Sequence, residues 1–147
     1  MERLAKFLLI LAILSVLVSN LYAGVKLSVA KTKVWQKTYG GSDHDVAEAI
    51  ISTEDGGFIV AGWTKSFGNG KSDVYLIRID KDGNKVWQKT YGGSNHDVAE
   101  AIIPTEDGGF IVAGYTASFG NGGRDVYLIK IDKNGKSSSG KNLRIAQ

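Results

Sequence analysis

The side chains fit for chemistry gather in four short polar stretches: GGSDHD at 40–45, SFGNGKS at 66–72, GGSNHD at 92–97 and SFGNGGR at 118–124. Together with the aspartates that follow the second and fourth stretches, they form two sets. The first is His44, Asp45, Asn69 and Asp73; the second is His96, Asp97, Asn121 and Asp125. Lys71 and Arg124 stand beside them. An imidazole next to a carboxylate can move a proton or hold a metal. One His and one Asp per set make a thin zinc site, so no metal is expected. Two sets at one spacing can instead meet a ligand twice, which makes these eight residues the candidate ligand-binding positions. A plainer reading stands beside it. Each Asp directly precedes an apolar run, where its carboxylate can accept backbone N–H bonds and fix the loop.

The remaining polar motifs carry less. Asp80-Lys81-Asp82-Gly83-Asn84 has the look of a calcium loop but lacks the downstream Glu, and its counterpart has Asn134 and Lys136. It reads as a hairpin turn. Glu54 and Asp55 sit beside a Gly-Gly turn and read as solvated. FGNG is not followed by a helical pattern, so the helix N-terminus that would hold a phosphate is missing. Trp63 and Tyr115 occupy equivalent places, either packed between layers or serving as a sugar-stacking platform. The chain has no Cys, which excludes disulfides, thiolate metal sites and a thiol nucleophile. Its net charge is +3, and the basic residues are spread out, so nucleic acid is not an expected partner. Removing residues 1–23 takes away Arg3, Lys6 and Glu2 and leaves +2.

These motifs are positioned by a tandem repeat. Residues 34–85 and 86–137 are one 52-residue unit written twice, differing at ten positions. Each unit holds four runs of strand character. They are Val34–Tyr39, Val46–Thr53, Phe58–Thr64 and Val74–Asp80, then Val86–Tyr91, Val98–Thr105, Phe110–Thr116 and Val126–Asp132. FIVAGW is apolar on both faces and must be covered on both sides. The Asp-Gly pairs at 55–56 and 82–83 predict two-residue hairpin turns. Four antiparallel strands per unit put GGSDHD and SFGNGKS at one end of the sheet and the short turns at the other. The fold class is all-β: two four-stranded antiparallel β-propeller blades forming a partial propeller, preceded by an N-terminal hydrophobic signal helix.

The pattern W-Q-K-T-Y-G-G-S-x-H-D, then T-E-D-G-G-F-I-V-A-G, then D-V-Y-L-I-x-I-D-K resembles the repeats of secreted prokaryotic β-propeller proteins of the SBBP type. The resemblance covers residues 34–136 and implies the propeller fold; it implies no defined activity. The stretch around Trp87 is also similar to the Trp-docking hairpin of quinoprotein-type blades, which implies packing for Trp35 and Trp87 and no cofactor.

Strand order places VAEAII innermost and VWQKTY outermost. The frame is then shifted. One blade runs from Val46 to Tyr91, and a second starts at Val98 without an outer strand of its own. Val34–Tyr39 is the spare outer strand. Two blades cannot close a ring, since propellers have about four to eight. The expectation is a head-to-tail homo-oligomer of two, three or four chains, each completing its neighbour's blade; a truncated remnant of a longer array is the alternative.

Residues 1–23 show a basic start, an apolar run from Phe7 to Val18 and a small-residue end, the layout of a signal peptide or, if uncleaved, a membrane anchor. Residues 24–33 read as a linker and 138–147 as a flexible tail. The expected place is secreted, extracellular or anchored facing outside, with no membrane contact beyond the N-terminal segment. The expected role is a binding or scaffold module, with glycan or another cell-surface ligand as the possible partner. A near-perfect repeat offers no unique asymmetric constellation, so neither catalysis nor a cofactor is expected.

Overall fold

The computed structural model describes residues 34–137. The leader, linker and tail expected from the sequence lie outside them. The described residues contain seven strands and no helix. They are β1 (Asp45–Ser52), β2 (Phe58–Thr64), β3 (Asp73–Ile79), β4 (Lys85–Tyr91), β5 (Asp97–Pro104), β6 (Phe110–Thr116) and β7 (Asp125–Ile131). The first four form one antiparallel sheet in the order β1-β2-β3-β4, and the last three form a second, β5-β6-β7. Every expected strand of these seven lies within two residues of its place.

The eighth does not form. Val34–Tyr39, the spare outer strand of the shifted frame, takes part in no ladder. Strand character needs a partner edge, and this segment lies against a face of the first sheet rather than along an edge. Side chains hold it instead. Trp35 Nε1 donates to the Lys81 carbonyl at 3.2 Å and Tyr39 Oη to the Gly83 carbonyl at 2.7 Å. Lys37 Nζ donates to Asn84 Oδ1 at 2.7 Å. The segment thereby covers the rear face of the first sheet, where Trp35 and Tyr39 pack with Tyr75, Ile77 and Ile79.

The same arrangement recurs one unit later. The forward face of the first sheet carries Ile59, Ala61, Val74 and Leu76. It forms one core with Ile102, Phe110, Val112, Ile129 and Ile131 on the rear face of the second sheet, flanked by Trp87 and Tyr91 of β4. Tyr91 Oη donates to the Gly135 carbonyl just as Tyr39 does to that of Gly83. Residues 35–39 thus stand to the first sheet as 87–91 stand to the second. The strand buried along its whole length is β3, rather than the apolar β2, because both its neighbours in the sheet and both its faces are covered.

The turns depart from the two-residue form. Gly56 has φ +79° and Gly83 has φ +73°, while among the described residues none other than glycine has positive φ. Asp therefore keeps ordinary backbone angles. The first turn closes through Gly56 N to the Thr53 carbonyl and Thr53 N to the Gly57 carbonyl, both at 2.9 Å. One glycine in the left-handed region ends the turn, so the loops are longer than a primed two-residue hairpin. A tighter demand falls on Gly62 and Gly114. A Cβ on either would lie 1.9 Å from the carbonyl oxygen of Val46 or Val98, beside the bulges at Ala47/Ala49 and Ala99/Ala101.

Asp55 is not simply solvated. Arg78, 8% exposed, grips both its carboxylate oxygens at 2.5 Å and also donates to the Ile79 carbonyl at 2.6 Å. Hydrogen bonds from Thr53 and Arg78 lower the Asp55 pKa from 3.8 to about 2. In the second sheet Lys130 takes this role against Asp107, and with Thr105 holds its carboxyl well below the ordinary range.

Two outcomes are expected. Leu76 is 0% exposed and its counterpart Leu128 is 64% exposed. In denaturant titrations of the dissociated chain, Leu76→Ala lowers the unfolding free energy by about 2–5 kcal/mol, and Leu128→Ala by about 0.5 kcal/mol or less. Equal losses would contradict the burial. The lowered Asp55 pKa contributes stability above the unfolded value of 3.8 that is lost as pH falls toward 2. Melting temperatures followed from pH 5 to pH 2 will therefore fall less steeply for Asp55→Asn than for the native chain.

Candidate functional site

The eight candidate residues all lie at one end of the two sheets. The pairing Asp45↔Thr64↔Asp73 brings the start of β1, the end of β2 and the start of β3 together. Asp97↔Thr116↔Asp125 does the same in the second sheet.

The aspartates are engaged by their own loops. Asp45 Oδ1 accepts from Thr64 Oγ1, and Oδ2 from Ser66 Oγ at 2.7 Å and from Gly41 N at 2.8 Å. Burial pushes its pKa up, but these hydrogen bonds outweigh that and leave it lowered. Asp97 repeats the set with Thr116, Ser118 and Gly93. The hydroxyl donors are side chains of the strand end and loop opposite, so each carboxylate ties its GGS loop to the following SFG loop. The neighbouring glycines leave the room. A Cβ on Gly40 would come 2.4 Å from the Asp45 carboxylate, and one on Gly92 would come 2.3 Å from Asp73 and 2.6 Å from Asp97.

Asp73 Oδ2 accepts from Asn69 N and Gly70 N at 3.0 Å each. Asp125 differs: its Oδ2 is buried and has no hydrogen-bond partner. His44 is exposed and its Nδ1 meets Asp43 Oδ1 at 2.7 Å. His96 is also exposed, and its Nδ1 meets Ser72 Oγ at 2.9 Å. Among the described residues no three His, Cys, Asp or Glu side chains come together as a metal site. What this end presents to solvent includes His44, Asn69, His96 and Asn121, with Arg124 lying over the Tyr115 ring at 4.3 Å. Trp63 and Tyr115 are both half-buried, and Trp63 Nε1 reaches Glu48 Oε1 at 3.3 Å.

A cleft lies at the other end of the sheets. A groove of about 710 Å3 opens at the short-turn end between the two sheets, lined by Asp55, Arg78, Trp87, Thr105, Phe110 and Lys133 among others. The sequence pointed to the longer loops, and missed this groove because it arises from the separation of two sheets. The available signal was that Trp87 must pack against the next unit while its edge stays near the turns.

The two sheets are also joined at the long-loop end. Lys71 N and Ser72 N donate to the Asn95 carbonyl at 3.1 and 3.3 Å, and Asp97 N donates to the Ser72 carbonyl at 2.8 Å. Ser72 and His96 form a parallel bridge. Gly70 is pressed so close that a Cβ would lie 2.4 Å from the Gly93 carbonyl oxygen. The loop of one sheet thus docks on the loop of the next.

Successive antiparallel sheets with edge-to-edge repetition and face-to-face packing are the arrangement of propeller blades. The model of a family described as a domain of unknown function (DUF5122) beta-propeller matches residues 54–85, from the first short turn through β2 and β3 to the start of β4. No curated protein matches the chain. By its repeated sheets and by this match, the chain resembles a β-propeller repeat family.

Proposed function

We propose that this chain is an extracytoplasmic binding or scaffold module that works as a sector of a closed β-propeller. The observation that carries the reading is a difference between identical residues. Val74 and Leu76 are 0% exposed, whereas their counterparts Val126 and Leu128 are 82% and 64% exposed. Ile102 is 5% exposed, whereas Ile50 is 60% exposed. The joint inside the chain therefore buries one forward face and one rear face, and leaves in water the forward face of the second sheet and, at Ile50, the part of the first sheet's rear face that Trp35 and Tyr39 do not cover. Exposed apolar surface of this kind marks an interaction site. In a closed ring the long-loop end repeats once per blade. A ligand would meet the same exposed His/Asn surface several times, and weak single contacts would sum. Glycans fit a surface of this type, with amide and imidazole groups beside the half-buried rings of Trp63 and Tyr115. Hydrophobic targeting by residues 1–23 supports the extracytoplasmic placement.

Light scattering on the chromatographed full chain tests the reading. The expected mass is two, three or four times that of one chain, without higher aggregates. A stable monomer at every accessible concentration overturns it. A glycan array probed with the assembled form then tests the ligand class.

A further inference from the structure

Two loops of the chain carry the same five residues, Ser-Phe-Gly-Asn-Gly, at 66–70 and 118–122. We infer that the second is a site of spontaneous covalent modification, in which the Gly122 nitrogen displaces ammonia from the Asn121 side chain, and that the fold shields Asn69 in the first loop from the same reaction.

The chemistry belongs to the dipeptide. A backbone nitrogen can attack the side-chain carbonyl of the asparagine before it and close a five-membered imide. Glycine is the follower that allows this best, because it has no Cβ to crowd the approach and its backbone turns freely. Water alone balances the reaction. A bond forms between Gly122 N and Asn121 Cγ, and the Cγ–Nδ2 bond breaks. The amide proton of Gly122 leaves by way of water, with Nδ2 as ammonia. Water then opens the imide at either carbonyl, giving an aspartyl residue or its isoaspartyl isomer. In a folded chain the step needs a nitrogen free to lose its proton and a loop free to bend.

The chain contains three Asn-Gly pairs, and hydrogen bonding separates them. Gly70 N donates to Asp73 Oδ2 at 3.0 Å, as does Asn69 N. Gly135 N donates to the Asp132 carbonyl at 3.0 Å, and Asn134 N to Asp132 Oδ1 at 2.9 Å. Gly122 N has no hydrogen-bond partner among the described residues. Asp125 stands where the first loop has Asp73, yet its Oδ2 is buried without a donor.

Room separates the three pairs as well. Gly70 is wedged in the joint between the sheets, where a Cβ would lie 2.4 Å from the Gly93 carbonyl oxygen and 2.6 Å from that of Asn95. Gly135 is buried, and a Cβ on it would lie 3.1 Å from the Trp87 ring. A Cβ on Gly122 or Gly123 would meet nothing within 4 Å. Gly123 replaces Lys71 of the first loop, so two glycines follow Asn121 in a row, with φ +101° and +74°. Asn69 and Asn121 are both exposed, so access of water does not distinguish them. The backbone does.

The product alters what the long-loop end presents. An amide on the second sheet becomes a carboxylate while Asn69 stays neutral, and the isoaspartyl form lengthens the main chain by one atom. The two loops, alike in a new chain, differ in charge in an old one.

The test uses the full chain, diluted until light scattering gives the mass of one chain and held in mildly alkaline buffer. Peptide mapping by mass spectrometry follows amide turning to acid at each asparagine. Conversion at Asn121 runs about tenfold or more faster than at Asn69, because Gly70 N must first leave a charged acceptor; Asn134 stays slow as well. In denaturant the rates at Asn69 and Asn121 come together. Lys71→Gly gives the first loop the Asn-Gly-Gly sequence of the second at an exposed position, and Asn69 remains slow in the folded chain. Equal rates at Asn69 and Asn121 in the native chain overturn the inference. So does a difference that persists in denaturant, or an Asn69 that matches Asn121 in Lys71→Gly, since local sequence and not the fold would then set the rate.

Discussion

Ile59, Ala61, Val74 and Leu76 on one sheet, and Ile102, Phe110, Val112, Ile129 and Ile131 on the next, share a single dry contact. The rest of the molecule is arranged around it. A sheet that is apolar on both faces cannot rest with one face in water, as a half-polar antiparallel sheet can. Each unit must therefore be sandwiched. The first sheet achieves this with the second sheet in front and with Trp35 and Tyr39 behind. The second has the same composition and only its rear covered. Sheet length, the small residues of β1 and β5, and the glycines at the bulges all serve close approach of one layer to the next.

The polar ends answer to the same constraint. Loops at the joint must settle against each other without orphaned backbone groups. Asp45 and Asp97 meet this by collecting a backbone N–H and two hydroxyls each. Arg78 does it at the opposite end, where a guanidinium buried in the sheet satisfies two carbonyls and the Asp55 carboxylate. These carboxylates are structural clamps. The side chains left exposed between them are shared by both sheets at His44/His96 and Asn69/Asn121, and the sheets differ at Asp43/Asn95 and Ser72/Arg124.

Most of the fold was legible in the sequence because it is written in local alternation and turn chemistry. Seven strands, their antiparallel order and the sorting of loops to two ends follow from residues such as Val74–Ile79 and the Gly-Gly turns. What was not legible depends on partners. Val34–Tyr39 has the same residues as Val86–Tyr91, yet only the latter is a strand, since a ladder is a property of two segments. Val74 and Val126 sit in the same local sequence with opposite exposure. The Asp55–Arg78 pair escaped because a Glu-Asp-Gly-Gly turn looks solvated until the neighbouring strand end is in place. For the site, the position of Asp45, Asp73 and Asp97 before a strand announced their role as loop clamps. No ligand chemistry was legible because nothing in the loops is specific to one kind.

The likeness of the two sheets has a consequence for how such a molecule changes over generations. The surface that ends one 52-residue unit is the surface that the next unit is shaped to receive. Copying or deleting a whole unit in the gene therefore leaves both termini of the folded array unaltered and creates no new kind of contact. Size becomes a variable that recombination can adjust in whole steps, whereas an odd-numbered change inside a strand turns the rest of that strand's side chains to the opposite face.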